Sequence, residues 1–145
     1  MAVKPIPEGY HSYTPYFVVE GAAEFIDFLK GAFEAEELFR MAMPGTNKVG
    51  HAEIRIGDSI VMCGDANPEH PARQLNGMLY VRDVDATYER AVKLGAKSER
   101  PPADQFYGDR MSGVIDRWGN YWGVATHIED VSPEEMERRI AKMKG

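Results

Sequence analysis

The hydrophobic pattern changes period repeatedly along the chain, and the changes mark out its elements. Residues 1–12 are an irregular lead-in punctuated by Pro5, Pro7 and Gly9. Residues 13–20 (YTPYFVVE) are dense in aromatic and β-branched side chains, which predicts a strand. Pro15 cannot donate to a ladder, so this strand belongs at a sheet edge or begins near the proline. From Gly21 the spacing lengthens: Ala22, Phe25, Phe28, Leu29 and Ala32 fall on one helical stripe that needs a partner to bury it. Gly31 is expected to end or loosen that helix. Residues 37–43 have helix-favouring composition, yet the Pro44-Gly45 stop suits a strand better. Period two then returns in GHAEIRIGDSIVMCGD, a hairpin turning near Gly57-Asp58. Alternation places Ala52, Ile54 and Ile56 on one face and His51, Glu53 and Arg55 on the other.

Residues 66–76 are a polar, proline-containing connector and the best internal boundary, because the pattern restarts after it. LYVRDVDATYERAVKLGA overlays YFVVEGAAEFIDFLKGAF at an offset of 63 residues, repeating strand, acidic corner and helix. In the second copy Val84, Tyr88, Ala91, Val92 and Leu94 supply the apolar side, and Gly95 stops the helix. Pro101-Pro102 and Gly108 frame a loop; residues 110–115 and 121–126 read as strands around a 116–120 turn. A last helix opens with Ser132 as N-cap, Pro133 at the first position and Glu135 completing a capping box.

Composition narrows the classes. At 145 residues and 16.3 kDa the chain can bury about two thirds of its extended surface, enough for one core or two small modules. Seventeen basic against 23 acidic residues, net −6, argue against a nucleic-acid surface. No apolar run reaches membrane-span length and the N-terminus lacks a signal-peptide layout, so no membrane partner and a cytoplasmic location are expected. The single cysteine, Cys63, excludes an internal disulfide framework or a cysteine-rich zinc site. Set in SIVMC, it reads as a small buried hydrophobe rather than a nucleophile.

Three segments are candidates for chemistry. The His51, Glu53 and Arg55 face suits a metal ligand, an acid/base or an anion clamp, or else is the solvated side of a half-buried hairpin. The loop Asp104–Arg110 (DQFYGDR) combines Phe106 and Tyr107 with acids and Arg110, fitting a pocket rim or a packed loop. WGNYWGVA puts Tyr121, Gly123 and Ala125 on one face and Trp122 and Val124 on the other, as pocket wall or core. His11, His51, His70 and His127 form no ligand-spaced motif, and no GxGxxG, P-loop, HExxH, CxxC or G-x-S-x-G occurs.

TPYFVVEGAAEFIDFLKGAF, HAEIRIGDSIVMCGD, LYVRDVDATYERAVKLGA and DQFYGDRMSGVIDRWGNYWGVATHIEDVSPEEM together resemble the glyoxalase/bleomycin-resistance (vicinal oxygen chelate) superfamily, and within it the PhnB-like group. The resemblance implies an α+β fold of tandem βαβββ modules, about 13–65 and 76–128, forming a curved mixed sheet around a cleft. One such domain would span 1–145, with an extra helix over about 132–143. Family members commonly dimerise, which implies a homodimer. Catalytic members use a divalent metal as Lewis acid and template. Carried onto this chain, the four ligand positions fall on or near Thr14, on Glu53, near Asn76 and on Gly123, a single carboxylate among them. The resemblance therefore implies a small-molecule-binding protein with no metal and no cofactor. Its pocket candidates are Tyr16, Asn76, Phe106, Tyr107, Arg110 and Tyr121, with Glu53 as the catalytic candidate. The alternative is a metal-assisted lyase, isomerase or dioxygenase with Glu53 as ligand or general base; a third reading is a structural protein whose cleft is filled by its own side chains.

Overall fold

A computed structural model describes residues 2–144; Met1 and Gly145, the ends of the expected 1–145 domain, lie outside the described residues. In chain order the elements are β1 (Tyr16–Val19), α1 (Ala22–Phe33), β2 (Glu36–Ala42), β3 (Val49–Ile56), β4 (Ser59–Asp65), β5 (Asn76–Tyr80), α2 (Val84–Lys93), β6 (Lys97–Asp104), β7 (Asp109–Ile115), β8 (Tyr121–His127) and α3 (Pro133–Lys144). The chain divides into two units, Met1–Leu75 and Asn76–Gly145, at the end of the polar connector. Each unit is a βαβββ arrangement with its own four-stranded mixed sheet, an α+β fold. The first sheet has order β1-β4-β3-β2, with β1 parallel to β4 and the other pairs antiparallel. The second repeats it as β5-β8-β7-β6. Among the described residues no helix is long and apolar enough to cross a membrane.

In the first unit α1 covers one face of the sheet. Phe25, Ile26 and Leu29 are fully buried, as are Val19, Ala52, Ile54 and Cys63 from the strands. Burial of each large apolar side chain contributes about 2 kcal/mol, so α1 is held by packing more than by propensity. That explains why the helix does not stop at Gly31. Ala32 and Phe33 are buried too, and their burial outweighs the roughly 1 kcal/mol cost of a mid-helix glycine. The chain turns instead at Glu34, in the left-handed region with φ 56°. Gly21 lacks a capping side chain, and Asp65 at the end of β4 takes over that work. Its Oδ1 accepts from the Gly21 and Ala22 amides at 2.9 and 3.0 Å, and its Oδ2 from Val49 at 2.7 Å.

The second unit is built to the same plan with a shifted offset. The helix starts (Ala22, Val84) and the buried pairs Phe25/Thr87 and Leu29/Ala91 lie 62 residues apart, not 63. Val92 and Leu94, expected on the apolar side of α2, are exposed. Pro101 and Pro102 lie inside β6 rather than in a loop; β6 is an edge strand whose register shifts around them, so their missing N–H groups cost the ladder little. The 116–120 turn is organised by Asp116, which is buried and accepts from the Trp118 and Asn120 amides, Asn120 Nδ2 and Trp122 Nε1 at 2.8–3.1 Å. In α3 the Ser132 hydroxyl accepts from the Glu135 amide, while the Glu135 carboxylate turns to Arg139 instead of closing the box.

Candidate functional site

The face of the first sheet turned away from α1 is where polar chemistry collects. Period two decides this: Ala52, Ile54 and Ile56 are buried beneath the helix, so His51, Glu53 and Arg55 stand on the other side. Register brings Phe39 opposite Glu53 and Met41 opposite His51 on β2, and Met62 opposite Glu53 on β4. Tyr16 and Val18 follow on β1, opposite Met62 and Gly64.

Four of these side chains form one hydrogen-bonded chain. The Tyr10 hydroxyl, from the lead-in, donates to Glu53 Oε1 at 2.5 Å. His51 Nε2 lies 3.1 Å from Glu53 Oε2, and its Nδ1 lies 3.2 Å from the Tyr16 hydroxyl. A carboxylate only accepts, which assigns the proton to Nε2 and leaves Nδ1 to accept from Tyr16. The Tyr10 bond is the main reason that Glu53 is held below the ordinary carboxylate value, with His51 adding to it against partial burial. Burial and the same bond push the Tyr10 phenol up to about 12, and burial raises that of Tyr16. Cys63, on the helix side, is free and buried, and burial pushes its thiol up to about 12, so it is no ready nucleophile.

Tyr16 also borders a pocket of about 380 Å³, lined with it by Val18, Gly50, Gly64, Asp65, Asn67 and His70. The pocket exists partly because Gly64 has no side chain: a Cβ there would sit 2.9 Å from the Gly50 carbonyl oxygen and 3.4 Å from the Tyr16 hydroxyl. Asn67 and His70 come from the connector, whose turn is closed by reciprocal backbone bonds between them and by Asn67 Oδ1 accepting from the Glu69 and His70 amides. Asp65 lines the wall, but both its oxygens serve α1 and β3.

The second unit divides the remaining candidates. Asn76, Met78 and Tyr80 pair with Tyr121, Gly123 and Ala125, and this face lies opposite α2. Tyr121 lies over Gly113, where a Cβ would come within 2.7 Å of its hydroxyl, and Tyr107 donates to Met111 Sδ at 3.1 Å. Phe106 packs edge-on against Tyr107, and its carbonyl accepts from Arg139 of α3. Arg110 points the other way, to α2, making two bonds to Asp85 at 2.9 and 3.0 Å and one to Asp104 at 3.1 Å. Thus Glu53 and Tyr16 come together in one unit. Asn76, Tyr107 and Tyr121 share a face in the other, and Arg110 is occupied in tying a helix down.

A further network closes the end of β8. Buried Asp109 accepts from Tyr80 at 2.7 Å and from His127 Nδ1 at 2.8 Å, while His127 Nε2 reaches Asp130 at 2.7 Å. Burial alone would raise Asp109, but these donors outweigh it and leave it lowered. With a carboxylate at each ring nitrogen, first Asp109 and then Asp130, His127 is shifted towards its protonated form. Neither this network nor Tyr10 was singled out from sequence. Apart from the neighbours His127 and Asp130, their partners lie 18 to 43 residues apart, and no local spacing signals them.

A divalent metal needs several strong donors converging on one point. Among the described residues no group of three or more His, Cys, Asp or Glu side chains is placed to hold an ion. Thr14 immediately precedes β1, Asn76 opens β5, and Gly123 faces Met78 and Met111. The His51–Glu53 pair is already bonded to two tyrosines, and both ring nitrogens of His127 are taken up by Asp109 and Asp130. These residues do not fit a tetrahedral or octahedral site within either unit.

The sequence model of the Glyoxalase/Bleomycin resistance protein/Dioxygenase superfamily matches residues 11–124. The uncharacterized protein Mb0911c of Mycobacterium bovis is 35% identical over 139 residues, covering 88% of this chain and 91% of the relative. Among solved structures, TioX from Micromonospora sp. ML1 is 23% identical with a TM-score of 0.66, covering 81% of this chain and 100% of its own. A PhnB protein from Bacillus cereus is 15% identical with a TM-score of 0.61, covering 80% of this chain and 99% of its own. Likeness at this level of identity speaks for the fold, and function has to be argued from the site.

Proposed function

Since the chain belongs to the glyoxalase/bleomycin resistance/dioxygenase superfamily, we propose that it binds a small organic molecule on the open face of its first unit, without a metal. One observation carries the reading. The pocket of about 380 Å³ beside Tyr16 is of ligand size, and it adjoins the Tyr16–His51–Glu53–Tyr10 chain. Its wall combines an aromatic ring, Val18 and two glycines with the polar groups of Asn67 and His70. That mixture suits an apolar body with one or two oriented polar atoms. Asn76, Tyr107 and Tyr121 are a second ligand surface on the other sheet.

The enzymatic alternative rests on the His51–Glu53 contact. A carboxylate held below its ordinary value is a weak base near neutral pH, so Glu53 is better suited to accepting a hydrogen bond than to removing a proton. The binding reading extends to a cytoplasmic homodimer. What supports the dimer is the apolar exposure of Phe39 and Met41 on edge strand β2 and of Met78 and Tyr80 on edge strand β5.

The test is an amide-correlation NMR screen of a fragment library against the protein in excess chelator. Saturable shifts confined to Tyr16, Gly50, Gly64 and Asn67 are expected. Binding that appears only on adding a divalent metal, together with turnover lost in Glu53→Gln, would transfer the assignment to the enzymatic alternative.

A further inference from the structure

Resting on that reading, the geometry points to a ligand class: we propose that the Glu53 carboxylate is a seat for a neutral phenolic hydroxyl, and that Tyr10 of the protein's own lead-in is its resident occupant. Tyr10 is itself a phenol, delivered from 43 residues away to Glu53 Oε1 at 2.5 Å. Around the carboxylate the seat has apolar walls, with Phe39 opposite Glu53 on one neighbouring strand and Met62 on the other. Phe39 is 48% exposed, so the wall has room for another ring. An anionic acceptor between apolar walls selects a ring carrying an O–H donor. It disfavours an aryl carboxylate, whose charge repels Glu53, and gives a plain hydrocarbon nothing to bond.

The occupant is built to leave. Residues 2–9 are exposed, and among the described residues the other bonds of the lead-in run within it, from the Tyr10 amide to the Pro7 carbonyl and from Lys4 to Glu8. Displacing Tyr10 breaks its bond to Glu53 and uncovers a half-buried ring, while the exposed residues before it stay in solvent. The incoming phenol remakes that bond, and it opens beside His51 and Tyr16 towards the pocket. The lead-in then acts as a built-in competitor that sets the affinity threshold of the site.

The experiment titrates p-cresol, toluene and benzoate into the wild type, Tyr10→Ala, and Tyr10→Ala combined with Glu53→Gln. Heat and amide shifts are read together, and circular dichroism confirms that each variant is folded. Removing the competitor should tighten p-cresol binding about tenfold or more, and adding Glu53→Gln should take back a similar factor. Toluene should bind more weakly and be indifferent to Glu53→Gln; benzoate should be weakest wherever Glu53 is present. Equal affinities for p-cresol and toluene, or p-cresol affinity unmoved by Tyr10→Ala, overturn the phenol seat. If shifts at Tyr16 and Gly64 still saturate with those ligands, small-molecule binding survives without it. If none of the three compounds binds any variant, the phenol seat falls, and the fragment screen alone decides the broader reading.

Discussion

Replacing Tyr10 by phenylalanine removes one hydroxyl and leaves the ring, which isolates the bond that ties the lead-in to the sheet. The Glu53 carboxylate accepts from Tyr10 at 2.5 Å and from His51 at 3.1 Å. Hydrogen bonds to a charged partner contribute about 1.5–3 kcal/mol. The Glu53 side chain is 28% exposed, so water replaces part of the lost donor and the lower end applies. A double-mutant cycle of Tyr10→Phe and Glu53→Gln should show a coupling of about 1.5 kcal/mol near neutral pH. The pH dependence follows from the shift. Glu53 is depressed below its ordinary 4.5, so its stabilisation is fully present above that value and is lost as pH falls through the depressed one. Urea unfolding of the four proteins at about pH 7 and at steps down through the acid range until Glu53 is protonated measures both. Coupling below about 0.3 kcal/mol, or coupling unchanged in acid, would refute the claim that an ionised Glu53 holds Tyr10.

Other sites give sharp outcomes. Asp116→Ala removes the acceptor shared by Trp122 Nε1, Asn120 Nδ2 and two backbone amides in a buried turn, and should cost about 3 kcal/mol by urea unfolding; a cost under about 1 kcal/mol would contradict the role given to that turn. His127 is raised above its ordinary 6.5, so its contribution is complete below that pH and is lost as pH rises through the raised value. An NMR titration of the ring nitrogens should show this, with Asp130→Asn bringing the midpoint down. Gly64→Ala drives a Cβ to 2.9 Å from the Gly50 carbonyl and should destabilise by about 1–3 kcal/mol while weakening fragment binding; Gly77→Ala meets nothing within 4 Å and serves as its control. Arg110→Ala, on a solvent-screened pair, should lower stability only slightly in urea unfolding and leave fragment binding at the Tyr16 pocket unchanged.

The repeat, the strand and helix periods and the two faces of β3 were legible because each is a local periodicity that burial enforces. The 62-residue structural offset was not, since low identity blurs register by one residue and only the buried positions of α1 and α2 settle it. Gly31 and Pro101-Pro102 misled for one reason: local signals of termination were overridden by the burial of Phe33 and by an edge position that tolerates missing donors. At the site, sequence singled out Glu53 and Tyr16 but neither Tyr10 nor the pocket wall of Gly50, Gly64, Asn67 and His70. Those residues meet only after β1, β3 and β4 pair and the connector folds back, as the Arg73 amide bonding the Val18 carbonyl shows. Arg110 read as part of a pocket rim because its charge was visible in the loop, while its partner, Asp85 on α2, lies 25 residues away.

Whether the pocket beside Tyr16 takes up a small organic molecule is decided by a crystal structure with the tightest fragment from the screen. Grown in chelator, the crystals should show the fragment against Tyr16, Val18 and Gly64, with a polar atom towards Asn67, His70 or the His51–Glu53 pair. A pocket closed by the protein's own side chains, or a fragment seated elsewhere, would contradict binding there.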